Sequence, residues 1–429
     1  MREMKDSGVK WIGEIPVDWE VCRFKNVAQL FTGNSIKDTD KVNYEDASDA
    51  RPYLATKDID LIFATVNYDN GLYVKYNDFS FKVAPKGSTL MCVEGGSAGR
   101  KKTKLVQDVS FVNKLCCFQS KTVSGDYLHY FLCSPNYESE FANNLSGLIG
   151  GVSTSALKNI PFLLPPPEEQ HRIADYLDDK CAKIDSIIER EEAVIEKLKN
   201  YKLSIITEKV TKGLNQDVPM KDSGVEWIGK IPEHWKVGKI KYVSTFNPPN
   251  IMKFDNSYQI GYVPMEYVKN GYILPQVIEY GKIPTGLSYF ENGDIVIAKV
   301  TPCFENGNIA IASGLYNGVA FGSSELFVFR CKNIKTEFLF FIMQNEIFKK
   351  LCISTMTGTG GLKRISSTFI RNYKFAYPSI DEQNTIIAFL DSKCSKIDSI
   401  IDKKQTLITK LAEYKKSLIY EVVTGKKEV

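Results

Sequence analysis

The sequence predicts an α+β protein: two mixed α/β domains and two long coiled-coil-like helices, arranged as an internal repeat. Three observations predict it. The chain is written twice, each copy holds one long glycine- and proline-free run with heptad-like apolar spacing, and each copy holds a block of short strand-like segments punctuated by turns.

Residues 4–19 read MKDSGVKWIGEIPVDW, and residues 220–235 read MKDSGVEWIGKIPEHW, so twelve of sixteen positions agree. All four tryptophans fall in this pair: Trp11 matches Trp227, and Trp19 matches Trp235. Gly8, Gly13 and Pro16 break regular structure, so the segment reads as punctuation whose tryptophans bury against a neighbouring element. A second pair follows: residues 177–188 (LDDKCAKIDSII) and 390–401 (LDSKCSKIDSII) share ten of twelve positions. The order is short repeat, variable block, long repeat, then the same again. The variable blocks, about residues 20–165 and 236–377, share little identity. A common frame with differing content suggests one job performed on two targets. The predicted partition is 1–166, 167–213, 214–379 and 380–429.

No glycine or proline separates Pro167 from Gly213, or Pro378 from Gly425. Leu177, Cys181, Ile184, Ile188, Ile195, Leu198 and Ile205 recur at alternating steps of four and three, and Leu390, Cys394, Ile397, Ile401, Ile408, Leu411 and Leu418 repeat the pattern. Each run predicts a helix of roughly 37 residues, about 55 Å at 1.5 Å per residue. An apolar stripe of that length needs a partner. The simplest is the other copy; packing on the helix's own domain, or between chains, is the alternative.

Within the blocks, residues 88–93 and 294–300 read as strands. Each leads into a glycine-containing loop. The first carries Ser97, Arg100, Lys101, Lys102 and Lys104; the second follows Lys299 with Thr301, Asn306 and Asn308. Four cations in five positions repel unless neutralised, and phosphates are a natural counterion; a solvated turn is the bland alternative. Next come related phrases holding Asn113 and Lys114, or Ser323 and Ser324. Each block closes on a glycine-rich stretch that predicts a loop entering a short helix, an anion-binding arrangement, with Ser153, Thr154 and Lys158 in one copy and Thr359, Lys363 and Arg364 in the other.

Composition narrows the function. The formal net charge of +4 does not by itself demand a nucleic-acid partner, and the ten cysteines form no CxxC or Cys/His cluster, so they read as buried thiols and no metal is expected. The opening residues lack an apolar signal-peptide core and no 18-residue apolar run exists, which predicts a cytoplasmic, non-membrane protein. With three histidines and no nucleophile signature, catalytic residues are expected to be none. Asn247-Pro248-Pro249-Asn250 lacks the aromatic fourth residue of adenine methyltransferases and reads as a loop. No phosphate-binding GxxxxGK[ST] loop is present.

The paired MKDSGV-WIG-IP--W segments, together with Pro165–Gln170 (PPPEEQ) and Pro378–Gln383 (PSIDEQ) opening the long helices, resemble the specificity subunits of type I restriction–modification enzymes. The phrases Glu94–Lys101 and Thr301–Asn308 are also similar to segments of that family's target-recognition domains. The resemblance implies a pseudo-twofold molecule with antiparallel helices separating two target-recognition domains, each reading half of a bipartite site in double-stranded DNA. It implies methylation subunits, two of them, and motor-nuclease subunits as partners, which supply S-adenosylmethionine, ATP and Mg chemistry that this chain lacks. One departure is the single Pro378, which predicts a looser turn before the second helix. Two other functions compete: a methyltransferase or nuclease with duplicated DNA-binding modules, which a methyl-transfer assay separates, and a coiled-coil scaffold, which sequence-selective DNA binding separates.

Overall fold

The computed structural model describes residues 2–61, 64–147, 150–215, 217–359 and 361–429. Leu148, Ile149 and Gly360, in the two glycine-rich stretches, lie outside the described residues. The chain divides into two compact units, Met1–Glu192 with Gln405–Val429, and Ala193–Lys404. Each unit therefore takes a piece of both long helices.

In the first unit, strands Tyr73–Lys75, Ala50–Leu54, Val109–Phe111 and Val83–Ala84 form one sheet in that order, and Ala28–Thr32, Leu115–Ser120, Thr89–Cys92 and Lys102–Lys104 form another. Thr89–Cys92 is buried at all four positions, which is why it reads as a continuous apolar run rather than an alternating one. Leu54, Leu90, Phe111 and Leu115 share a core between the sheets. A second core is aromatic: Phe24 meets Phe118, Phe131, Tyr137 and Phe162 edge-on, with ring centroids 5.1–5.9 Å apart.

The second unit repeats this strand for strand. Gln276–Glu279, Gln259–Val263, Val319–Gly322 and Ser288–Glu291 form one sheet, and Ser244–Phe246, Leu326–Cys331, Ile295–Ala298 and Ile309–Ile311 the other. Among the described residues each unit contains the same single parallel pairing, Tyr53 opposite Ser110 and Gly261 opposite Ala320. Gly261 is required there, since a Cβ would lie 2.9 Å from both the Ala320 methyl and the Val319 carbonyl oxygen.

The long helices are Pro167–Lys212 and Ile380–Val423, of 46 and 44 residues. Both exceed the expected 37, because helix begins before the apolar seam does. Pro167 is tolerated as a first helical residue, and Glu168, Glu169, Asp381 and Glu382 stand where the helix dipole favours acids. After the single Pro378, the Ser379 hydroxyl accepts the Glu382 N–H at 3.4 Å, an N-cap contact.

The seam residues face inward. Leu177, Ile184 and Ile188 are buried in the first unit; Ile195, Leu390 and Ile397 are buried in the second, where Leu198 and Ile401 pack against the core. Ile408 is buried and Leu411 half-buried in the first unit. Within each unit the two helix pieces run antiparallel. In the first, Asp185 pairs with Lys415 at 2.7 Å and Lys427 lies over the Tyr176 ring. In the second, Lys202 pairs with Asp398 at 2.7 Å and Gly213 lies near Glu382. Asp185 and Asp398 are equivalent in the repeat, as are Lys202 and Lys415, so the pairing is reciprocal. Such half-exposed pairs contribute little stability but fix register.

The short repeat anchors each helix. Trp19 and Trp235 are fully buried and donate their indole N–H to Glu169 and Glu382, at 2.9 and 3.1 Å. The adjacent glutamine bridges outward. Gln170 accepts the Ser124 N–H at 2.8 Å and donates to the Pro165 carbonyl, while Gln383 accepts the Lys335 N–H at 2.9 Å and donates to the Pro378 carbonyl. Trp11 and Trp227 are half-buried, the latter donating to the Lys374 carbonyl at 3.2 Å. Six cysteines are buried and four half-buried, all as free thiols.

Glu169 is 6% exposed and also receives the Arg2 guanidinium, whereas the Glu382 side chain is 30% exposed. Glu169→Ala is expected to lower unfolding free energy by about 2 kcal/mol, and Glu382→Ala by clearly less. Paired denaturant titrations of the two variants check the order.

Candidate nucleic-acid interface

Both units bring the same three backbone segments together, and the hydrogen bonds correspond one to one. In the first unit the Val93 N–H donates to the Lys114 carbonyl, Val152 to Val93, and Gly95 to Gly150, all at 2.9 Å. In the second, Lys299 donates to the Glu325 carbonyl at 3.0 Å, Ile365 to Lys299 at 2.9 Å, and Thr301 to Lys363 at 3.0 Å. The seam therefore equates Lys114 with Glu325, Gly95 with Thr301, and Gly150-Gly151 with Lys363-Arg364. Each loop, its following phrase and its glycine-rich stretch meet at one place, although they lie far apart in the chain.

The side chains on this shared backbone differ. In the first unit Lys114 approaches Glu94 at 3.8 Å, and Asn113 accepts the Ser35 hydroxyl at 2.7 Å. Arg100 is exposed and donates to the Gly96 carbonyl at 2.8 Å, beside half-buried Ser97. Lys101 donates to the Thr56 carbonyl at 2.9 Å, flanking a cleft of about 370 Å³ that Lys57 and Asn67 also line. Ser153 caps the short helix Thr154–Asn159 by accepting the Ala156 N–H at 3.2 Å, and Lys158 is exposed on that helix.

In the second unit Arg364 forks onto Glu325, Nε to Oε2 at 3.0 Å and Nη2 to Oε1 at 2.7 Å. Lys299 lies 3.7 Å from the same carboxylate and donates to the Ser324 carbonyl at 2.7 Å. Arg364 holds the Glu325 carboxyl below its usual pKa, with Lys299 adding to the effect. Ser323 accepts the Glu325 N–H at 3.2 Å; Asn306 is exposed and Asn308 half-buried in the loop.

Four expectations need correction. Lys102 does not face solvent: it is 5% exposed, donating at 2.8 Å to both the Leu132 carbonyl and Glu138. Lys104 is likewise neutralised from within, by Asp126. Those carboxylates lie on helices far along the chain, so counting cations in the loop overstated its free charge. Thr301 is 8% exposed, its hydroxyl donating to the Gly361 carbonyl and accepting the Lys363 N–H at 2.8 Å. Finally, the second glycine-rich stretch does not lead directly into a helix. Thr357–Thr359 pairs with Leu362–Arg364 as a β-ribbon exposed at all six positions, and the helix starts only at Ser367.

Sequence reasoning passed over Glu94 and Glu325, because a carboxylate in a basic loop signals nothing until the fold shows which cation it holds. Asn247-Pro248-Pro249-Asn250 is a loop whose Asn247 is tied to Val328 by hydrogen bonds of 2.8 and 2.9 Å.

A duplicated domain that presents different polar side chains from one conserved backbone seam defines a paired recognition protein. A family model described as the type I restriction modification DNA specificity domain matches residues 16–197 and again residues 232–410, so the chain belongs to that family and carries its domain twice. It is similar to the type I restriction enzyme MjaVIII specificity subunit of Methanocaldococcus jannaschii, 26% identical over 96% of this chain and 93% of that protein. It is also similar to the EcoAI and EcoEI specificity subunits of Escherichia coli, 32% and 31% identical. Those two matches cover 41% and 37% of this chain, and only 31% and 27% of the relatives' own length. A solved chain from a type I restriction–modification system shares the fold, with a TM-score of 0.70 at 12% identity over 96% of this chain and 99% of that one.

Lys102→Met is expected to cost about 2 kcal/mol of stability, since it strands a partly buried Glu138, while leaving any DNA salt dependence unchanged. Arg100→Ala and Lys101→Ala should do the reverse, each flattening the log-affinity versus log-salt slope by about 0.9 for a lost phosphate contact. Thermal melts and salt-series binding on the same three variants check the pair.

Proposed function

We propose that this chain is the sequence-reading, non-catalytic subunit of a type I restriction–modification complex. It recognises a bipartite site in double-stranded DNA and directs adenine methylation and cleavage by its partners. The observation that carries this reading is the seam: two domains with identical strand order and matching backbone hydrogen bonds, but unrelated side chains at Lys114/Glu325 and Gly150-Gly151/Lys363-Arg364. A duplicated binder of one target would have no reason to diverge there while keeping its frame. On this reading the exposed Arg100, Lys158 and Lys363 contact phosphates, and Ser97, Asn113, Thr359, Asn306 and Ser324 stand at base edges.

The helices support a partner role. Ile187 and Tyr201 on the first helix have Ile400 and Tyr414 as repeat equivalents on the second, and all four are exposed, by 45%, 58%, 44% and 55%. Leu407, equivalent to Val194, is exposed as well, midway between Ile400 and Tyr414. Each unit thus exposes one isoleucine and one tyrosine from its own helix pieces, Ile187 with Tyr414 in the first and Ile400 with Tyr201 in the second, which fits two copies of a methylation subunit, one per unit. Those subunits bring S-adenosylmethionine, and motor-nuclease subunits bring ATP and Mg. No helix among the described residues is long and apolar enough to cross a membrane, and we place the complex in the cytoplasm.

Replacing residues 20–165 with the corresponding block of a relative is expected to change one half of the methylated motif and leave the other intact. Genome-wide mapping of modified adenines in cells carrying the chimaera and its methylation partner provides the measurement. A change in both halves would show joint reading, and an absence of any motif in the parent would remove the function itself.

A further inference from the structure

We propose that Arg364, positioned by Glu325, reads a guanine in the half-site taken by the second domain; the inference rests on the sequence-reading function above. Arg364 ends a two-stranded ribbon, Thr357–Thr359 with Leu362–Arg364, whose six residues are all exposed. A two-stranded ribbon is one of the few elements that fit the DNA major groove. Gly358 keeps the ribbon tight: its φ is +148°, and a Cβ there would lie 2.2 Å from the Leu362 carbonyl oxygen.

The hydrogen bonding of the pair sets what it can recognise. Glu325 takes the Nε and Nη2 donors of Arg364, at 3.0 and 2.7 Å. The guanidinium has five N–H donors in a rigid plane, so its Nη1–Nη2 edge keeps two parallel N–H groups unused by that carboxylate. Two parallel donors match the O6 and N7 acceptors of guanine. The carboxylate in turn offers an acceptor to the N4 amine of the paired cytosine. A phosphate would also accept the fork, but it would meet Glu325 as a like charge. The Glu325 carboxylate thus favours a base edge over the backbone.

Glu325 is a positioning residue. It holds the long, exposed arginine in one plane before DNA arrives, and Lys299 at 3.7 Å helps keep the carboxylate charged. The first domain has no equivalent pair, its corresponding positions being Gly151 and Lys114, so this Arg–Glu contact belongs to one half-site only.

The test uses the full chain assembled with its methylation partners, selecting from a randomised duplex library and sequencing the bound fraction. The parent should return a bipartite motif. Arg364→Ala should reduce the preference for guanine at one position of the second half-site by on the order of ten- to a hundredfold, with the first half-site unchanged. Arg364→Lys should not restore it, because an ammonium lacks the fork. Glu325→Gln, which keeps the arginine but loses the charge, should weaken the same position partially. The inference is overturned if Arg364→Ala keeps every guanine preference. It is equally overturned if affinity falls alike for all sequences with a salt slope flatter by about 0.9, since that marks a phosphate contact. Should Arg364→Ala bind no duplex, Glu325→Gln decides: an unaltered motif rejects the pair. A parent that selects no motif would instead remove the sequence-reading function, and this inference with it.

Discussion

The rest of the structure depends on a buried carboxylate that must be satisfied. Glu169 lies in the first turn of a long helix at 6% exposure, and a carboxylate taken out of water is tolerated only with donors around it. The Trp19 indole and the Arg2 guanidinium supply them, drawing the short repeat onto the helix start. Gln170 then carries the constraint outward, accepting the Ser124 N–H at the start of helix Gly125–Leu132. At the other end of the frame, Gly425 packs against Pro16 and Trp19, where a Cβ would lie 2.4 Å from the proline ring. Trp235, Glu382, Gln383 and Gly213 rebuild the same joint in the second unit. This explains why the repeated residues are tryptophan, glutamate and glutamine rather than merely apolar ones. Each side chain has a specified partner, and the joint holds a domain to a helix without involving the seam.

The main-chain hydrogen bonds that the two seams share are indifferent to side-chain identity, and each seam adds side-chain contacts of its own, such as the Thr301 hydroxyl to Gly361 and Arg364 to Glu325. Gly150-Gly151 and Lys363-Arg364 occupy the same backbone positions, as do Lys114 and Glu325. The charge at a given point can then reverse between domains without disturbing the fold. The physical separation of frame from seam is what allows one architecture to carry two different sets of side chains.

The frame was legible in the sequence for the same reason. Glycine- and proline-free runs, a heptad stripe from Leu177 to Ile205, and duplicated tryptophans are local patterns, and each reports its element directly. The two strands Thr89–Cys92 and Ile295–Ala298 were legible as apolar runs. What could not be read were contacts across distance. Nothing in the spacing of Arg100 to Lys104 reveals that Lys102 meets Glu138 or that Lys104 meets Asp126. The ribbon at Thr357–Arg364 was missed because its glycines match a helix-entry loop equally well; only the pairing of Thr357 with Arg364 distinguishes them. Helix lengths were underestimated because the first two turns carry the anchoring carboxylates rather than the apolar stripe.

The internal pairing of cations has a further consequence for a DNA reader. Lys102, Lys104, Lys114, Lys299 and Arg364 all have carboxylates of their own within 4 Å, and the net charge of the chain is only +4. Non-specific affinity grows with the number of cations free to displace counterions from phosphates. A surface whose cations are half-neutralised contributes little of that term. Geometry gains correspondingly: an arginine already gripped by a carboxylate loses less rotamer freedom on meeting a base, and a wrong base leaves its donors unpaired. On the proposed function, an incorrect half-site is then not rescued by charge, which is how a weakly basic reader discriminates.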